Sequence, residues 1–188
     1  ITTDFLSLWS STLKRLGGTP LSPVSYFIGK IAQVLATGTL QAAILIGIAA
    51  VVFDVPLPTT AEAWGTFAWV FVLGLIASAL LGIAVSAIPR SGRSATAVVI
   101  PIALVLQFTS GVYLFFWLLP DWLQNAASAF PLVWMARGMR AVFLPEEYSA
   151  LEPGEAWNLE WVAIALLAWL VIGLIASRMT FRWIRRDA

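Results

Sequence analysis

The stretch TFAWVFVLGLIASALLGIAVSAI, residues 66–88, contains 23 residues and no charged side chain. An α-helix rises about 1.5 Å per residue, so about 20 apolar residues cross the hydrocarbon core of a bilayer. Polar and apolar residues do not alternate here with period two, which argues against a membrane strand. The stretch therefore predicts a membrane-spanning helix.

Three further apolar runs accompany it, at residues 31–53, 95–119 and 157–177, the second of which contains Pro101. Of the 188 residues 60% are hydrophobic and only 11% are charged, and the mean hydropathy is +0.89. A soluble domain would be about a quarter charged. We therefore predict a single all-α domain, residues 1–188, that is a polytopic transmembrane helix bundle. Its four spans are expected at about 28–53, 64–88, 95–119 and 157–181.

The basic residues predict the orientation of the bundle. Nine of the eleven lie in the first, third and last polar segments, namely Lys14, Arg15, Lys30, Arg90, Arg93, Arg178, Arg182, Arg185 and Arg186. Loops that are rich in Lys and Arg stay in the cytoplasm. We therefore expect both chain ends to be cytoplasmic, which agrees with an even number of spans.

Two segments are not expected to cross the bilayer. Residues 4–16 predict a short amphipathic helix that ends at Gly17-Gly18. Residues 120–143 predict two short helices on the outer side, interfacial or re-entrant, because Pro120 and Pro131 divide the stretch. Since the chain begins with Ile1 rather than Met, we expect it to be incomplete at its N-terminus.

Polar residues recur within two of the predicted spans. Gln33, Thr37 and Gln41 are spaced four apart and predict either hydrogen bonds between helices or the lining of a solute path or dimer seam. Above Pro101, the residues around Gln107 and Ser110 either form a flexible gate or satisfy backbone groups that the proline frees.

Small and basic residues supply two further patterns. Gly74, Ser78, Gly82 and Ser86 form a ladder of small residues that predicts close helix packing. Arg137 and Arg140 are three apart and share a helical face. That face either binds lipid phosphates or a nearby glutamate, or is an ordinary solvated or snorkelling surface.

The sequence contains no cysteine and no histidine, no phosphate-binding GxxxxGK[ST] loop, and no acidic residue in the core of a predicted span. An enzyme, a metal site and a proton-coupled transporter are therefore not expected, and any energy for transport would come from a partner. The sequence predicts no catalytic, cofactor-binding or metal-ligating residue.

Two phrases resemble the membrane subunits of ABC type-2 transporters. They are STLKRLGGTPLSPVSYFIGKIAQVL, residues 11–35, and FTSGVYLFFWLLPDWLQNAASAFPLVWMARGMRAVF, residues 108–143. The resemblance implies an assembly of two permease subunits, identical or different, with two cytoplasmic ATPase subunits. The four spans of this chain would then be spans three to six of the six in the family. Residues 4–16 would be the coupling helix, and residues 120–143 the outer re-entrant helices.

The resemblance also implies a function, which is ATP-driven export of an amphipathic or hydrophobic solute (a drug, lipid or glycan-lipid) across a bacterial plasma membrane. ATP and magnesium would bind the partner ATPase, and no nucleic acid is expected to bind. The ATPase contact is expected at Leu13, Lys14, Arg15 and Leu16, and the pathway or dimer seam at Gln33, Thr37, Gln41, Gln107, Ser110 and Tyr113. The alternative is an energy-independent channel or a structural membrane protein.

Overall fold

The computed structural model describes the backbone of residues 23–85 and 92–180, and the side chains of the same residues other than 23, 24, 26 and 92–98. These ranges form helices and connecting segments, with no strand among them. The α-helices are α1 (Pro23–Val52), α2 (Ala61–Val85), α3 (Gly92–Thr109), α4 (Asp121–Ala127), α5 (Pro131–Phe143) and α6 (Leu159–Thr180). Short 3-10 helices lie at Phe116–Leu118 and Glu146–Leu151.

Three helices are long and apolar enough to cross a membrane: Phe27–Val52 within α1, Ala61–Val85 and Leu159–Thr180. The shortest of these has 22 residues and is about 33 Å long at 1.5 Å per residue. The all-helical class predicted from the sequence is confirmed in the described part of the chain. The sequence predicts four spans, and the described residues contain three helices that meet these criteria of length and composition.

The connection from α1 to α2 is made by local capping. Asp54 has a positive φ of 51°, and the amide of Val55 donates to the carbonyl of Ala49 at 3.1 Å, which terminates α1. The hydroxyl of Thr60 accepts from the amide of Ala63 at 3.3 Å and caps the start of α2. With this cap, α2 begins at Ala61, a few residues before the predicted span of about 64–88.

Helix α3 ends at Thr109, before the end of the predicted third span, residues 95–119. Gly111 adopts a left-handed backbone conformation with φ of 83°, which residues with a Cβ rarely adopt and which cannot continue a helix. The hydroxyls of Thr109 and Ser110 bond to carbonyls of their own last turn. A composition of apolar residues alone gave no sign of this turn.

The core lies between α2, α5 and α6, which we call the packed unit. Val70 of α2 and Val162 and Leu166 of α6 are fully buried, and Trp134, Met135 and Met139 of α5 pack against them. Gly138 lets α5 approach closely, since a Cβ there would lie 2.8 Å from Cγ2 of Val70 and 3.3 Å from Cγ1 of Val162. Small residues commonly mediate such contacts in membrane bundles.

The predicted ladder of small residues does not form the packed face of α2 within this chain. Only Gly74 is buried, against Met135. Ser78 and Gly82 are exposed, Gly82 has no neighbour within 4 Å, and Ser86 lies outside the described residues. The reason is geometric: steps of four residues drift by about 40° per step in a helix of 3.6 residues per turn. The buried residues instead combine steps of three and four: Val70, Gly74, Ala77, Leu80 and Ala84.

Candidate functional site

The segment between α5 and α6, residues 144–158, is folded back on itself and is here called the connecting segment. After its 3-10 helix, Glu155 and Gly154 turn the chain with positive φ angles of 52° and 87°. The indole Nε1 of Trp157 donates to Oε2 of Glu146 at 3.0 Å and ties the two ends together. This fold delivers one acidic side chain, Glu152, into the interior of the chain.

Glu152 binds two arginines of α5 at once. Nε of Arg137 donates to Oε2 at 3.0 Å, and Nε of Arg140 donates to Oε1 at 2.7 Å. The carboxylate is fully buried, and the side chains of Arg137 and Arg140 are 5% and 13% exposed. We call these three residues the arginine–glutamate cluster. Hydrogen bonds between ionised partners at such distances are among the strong ones.

Each arginine has a second neighbour, and the two neighbours differ. The guanidinium of Arg137 lies over the ring of Trp134, 5.2 Å from its centroid, which is a cation–π geometry. Nη1 of Arg140 donates to the carbonyl of Gly111 at 3.5 Å. Nη2 of Arg140 is buried and has no acceptor among the described residues. Arg137 is therefore held within the packed unit, whereas Arg140 also reaches the turn that ends α3.

The electrostatics of the cluster follow from its burial. Loss of hydration lowers the pKa of Arg137, and Arg140 lowers it further, while Glu152 opposes both effects. An arginine remains ionised under all these influences, so the cluster holds two positive charges and one negative charge. Removing Glu152 would leave two buried positive charges without a counter-ion, which is strongly destabilising.

The structure places the two predicted arginines in a buried contact with a glutamate. Of the interpretations open from the sequence, a solvated or snorkelling face does not describe this conformation. The sequence contains several acidic residues in the same region, and nothing in their spacing singles out Glu152. Trp134 and Gly111 were likewise not predicted as neighbours of the arginines, because both contacts depend on tertiary structure.

The predicted pathway residues fall into two separate sets. Gln33, Thr37 and Gln41 are exposed along one face of α1. Within that face Nζ of Lys30 donates to Oε1 of Gln33 at 3.2 Å, and the hydroxyl of Thr37 donates to the carbonyl of Gln33 at 2.8 Å.

The second set lies at the end of α3. Gln107 is half-buried, and Ser110 is fully buried with its hydroxyl bonded to the carbonyl of Gln107 at 3.1 Å. Tyr113 is 61% exposed and its ring lies 5.2 Å from that of Phe108. No hydrogen bond between described residues joins this set to the one on α1. Because Ser110 is fully buried, its hydroxyl is not accessible from the surface of the described chain in this conformation.

The predicted coupling helix, residues 4–16, and the predicted ATPase contact at Leu13, Lys14, Arg15 and Leu16 lie outside the described residues. Among the residues that are described, no group of three or more His, Cys, Asp or Glu side chains is placed to hold a metal ion. The described residues therefore provide a buried, hydrogen-bonded ion cluster and exposed apolar helical surfaces.

Exposed apolar helices around a small packed core define an integral membrane protein. The sequence profile described as ABC-2 family transporter protein matches residues 10–177, which is nearly the whole chain. The chain belongs to this family, and is an ABC-2 type permease, a membrane transport component; the resemblance seen in the sequence is confirmed. No curated protein and no solved structure matches the chain.

Proposed function

We propose that this chain is the permease subunit of an ATP-driven exporter that moves an amphipathic or hydrophobic solute out of a bacterial cell. The observation that carries the proposal is the family match over residues 10–177. Its apolar helices support a lipid-like solute, because both arginines of α5 are paired with Glu152 inside the chain. The energy would come from a cytoplasmic ATPase, with ATP and magnesium bound to that partner.

In this proposal the ATPase subunits close on ATP and displace residues 4–16, and the spans of two permease subunits then alternate between inward-open and outward-open states. A nucleotide can drive such a change only if the two states bind it differently. Lys14 and Arg15, between Leu13 and Leu16, would form the contact that transmits the motion.

Co-purification from the native membrane tests the partner. We expect an ATP-hydrolysing subunit to accompany the chain. Charge reversal at Lys14 and Arg15 is expected to abolish ATP-dependent efflux of a lipophilic fluorescent dye while leaving membrane insertion intact. The matched control reverses Arg185 and Arg186, which are equally basic but lie in the C-terminal tail. Dye efflux that continues unchanged in the first variant, without any ATPase, would point to the energy-independent alternative.

The proposal includes four crossings, with α3 as the third. Its 18 residues correspond to about 27 Å, close to the thickness of the hydrocarbon core. The chain has no cysteine, so single introduced cysteines report cleanly on topology. With four crossings, E147C is labelled by an impermeant maleimide from outside the cell and S91C is not. If α3 does not cross, both positions lie on the same side and are labelled alike.

A further inference from the structure

Among the described side chains of α3, the attachment to the rest of the chain is concentrated at the C-terminal end. Of its described side chains, residues 99–109, none is buried, and the large apolar ones are mostly exposed, as for Ile102 and Val105 at 51% and 62%. Directly after the helix, Ser110 and Phe116 are fully buried. Phe116 packs with Ala127 of α4 and Val133 of α5. The C-terminal end of α3 is therefore anchored, while residues 99–105 of the helix are exposed.

Beside the apolar contact of Phe116 with Val133, Arg140 makes a polar contact between this anchored end and the packed unit. Its Nε is bound to Glu152 at 2.7 Å, and its Nη1 reaches the carbonyl of Gly111 at 3.5 Å. The turn at Gly111 makes room for this approach, because a Cβ there would lie 2.9 Å from Nη1. A planar guanidinium can serve two acceptors in this way, and the single ammonium group of a lysine cannot do so with the same geometry.

The two bonds of Arg140 are unequal. The bond to the buried carboxylate is short and charge-assisted, whereas the bond to the carbonyl is at the limit of hydrogen bonding. Nη2, beside it, is buried without an acceptor among the described residues. The bond to Glu152 therefore holds the guanidinium of Arg140 in place. The contact with Gly111 is the weaker of the two bonds that Arg140 makes, and it is the one that can open.

We propose that Arg140 is a positioning residue for transport: it docks the C-terminal end of α3 on the packed unit, and α3 moves relative to α2, α5 and α6 when this contact opens. The inference rests on the proposed function, since the motion is assigned to the transport cycle. Arg137 supplies a matched comparison, because it binds the same carboxylate but has its second contact with Trp134.

The experiment measures distances between spin labels in the complete transporter with its ATPase, reconstituted in lipid. One label pair joins α3 to α6, L104C with L167C, and the reference pair joins α2 to α6, V72C with L167C; all three positions are exposed. Distances are recorded without nucleotide and after trapping with ATP, magnesium and vanadate. The α3–α6 distance is expected to change on trapping, and the α2–α6 distance is expected to stay the same.

The variants R140K and R137K are then compared without nucleotide. In R140K the undocked population of α3 is expected to rise by about twofold, the lower end of the effect of losing one hydrogen bond, because the bond to Gly111 is a weak one. In R137K the α3–α6 distribution should match that of the unmodified chain. Equal broadening in both variants would reduce the cluster to a structural role and overturn the inference.

Failure of the inference and failure of the proposed function can be separated. If the complex hydrolyses ATP and exports the dye while the α3–α6 distance stays fixed on trapping, the inference is wrong and the proposed function stands. If no ATP-hydrolysing partner exists, the proposed function fails. The comparison of R140K with R137K still decides whether Arg140 docks α3.

Discussion

The packed unit of α2, α5 and α6 buries side chains within the chain, whereas the described side chains of the helices α1 and α3 are not buried. In the packed unit, glycines face bulky residues, and the charged side chains of α5 are buried against one carboxylate. In α1 no described side chain is buried, although its 30 residues are as apolar as those of α6. Packing in the bundle therefore depends on shape and on polar contacts, and hydropathy does not distinguish α1 from α6.

The difference shows how to interpret exposure in a membrane protein. An exposed Leu is no anomaly in lipid, since lipid tails are as apolar as the side chain. An exposed glutamine is different, because an unsatisfied amide in hydrocarbon is unfavourable. We therefore expect the face of α1 that carries Gln33 and Gln41 to contact another helix, and the exposed leucines of α1 to contact lipid.

The largest expected effect within the packed unit is that of E152Q. A neutral amide would leave two buried guanidinium groups without their carboxylate, and loss of one partner from a buried ion pair costs about 3–5 kcal/mol. We expect a large fall in the thermal midpoint of the detergent-purified chain, measured by size-exclusion chromatography after heating. The control is E147Q, at an exposed position of the connecting segment, which should lie within about 0.5 kcal/mol of the unmodified chain. Equal stability of the two variants would show that the cluster does not hold the packed unit together.

The next effect compares two glycines on different faces. G138A is expected to cost about 1–3 kcal/mol, because its Cβ would lie 2.8 Å from Val70, which belongs to the rigid core. G82A has open space around it and should be neutral or slightly stabilising, by up to about 1 kcal/mol, from helix propensity. Thermal midpoints of both variants test this order. If G82A lowered the thermal midpoint of the isolated chain more than G138A did, the packed face of α2 would not be the one that contains Val70.

A smaller effect is expected in the connecting segment. W157F removes the donor of the bond to Glu146, and a typical hydrogen bond contributes about 1 kcal/mol. In a chain of this size that corresponds to a fall of about 2–4 °C in the thermal midpoint. W161F is the control, since Trp161 is 56% exposed, and it should leave the midpoint unchanged. A midpoint for W157F equal to that of W161F would contradict a stabilising role of the bond.

Sequence patterns predicted the helical class and the family because both depend on features spread over many residues. Lengths of apolar runs identified α1, α2 and α6, and Pro131 marked the start of α5. The end of α3 was missed because a single backbone angle at Gly111 decides it. Of the ladder Gly74, Ser78, Gly82 and Ser86, only Gly74 is buried among the described residues, because regular spacing by four does not follow the helical period. The neighbour of Gly74, Met135, lies in a distant part of the sequence.

The arginine–glutamate cluster shows the same limit for the site. The spacing of Arg137 and Arg140 correctly indicates a shared face, since three residues are nearly one helical turn. The choice of Glu152 depends on the path of residues 144–158, which turns on Gly154 and on the bond between Trp157 and Glu146. Local sequence patterns identify the two arginines, and only the fold of the connecting segment shows that Glu152 is their partner.

The smallest expected effect tests the exposed face of α1. Gln41 is exposed and has no hydrogen bond to another described residue, so Q41L should leave the stability of the isolated chain unchanged. If the face contacts a second membrane subunit, the loss of one interhelical hydrogen bond should weaken association by about 0.6 kcal/mol, or about threefold. Crosslinking yield across a range of chain concentrations in lipid measures this. L45A, at a position 69% exposed on the same helix, controls for a change of surface alone. If Q41L instead stabilises the chain in lipid and leaves association unchanged, this face of α1 contacts lipid. The packed unit and α1 would then differ in packing density and not in the partner that each one contacts.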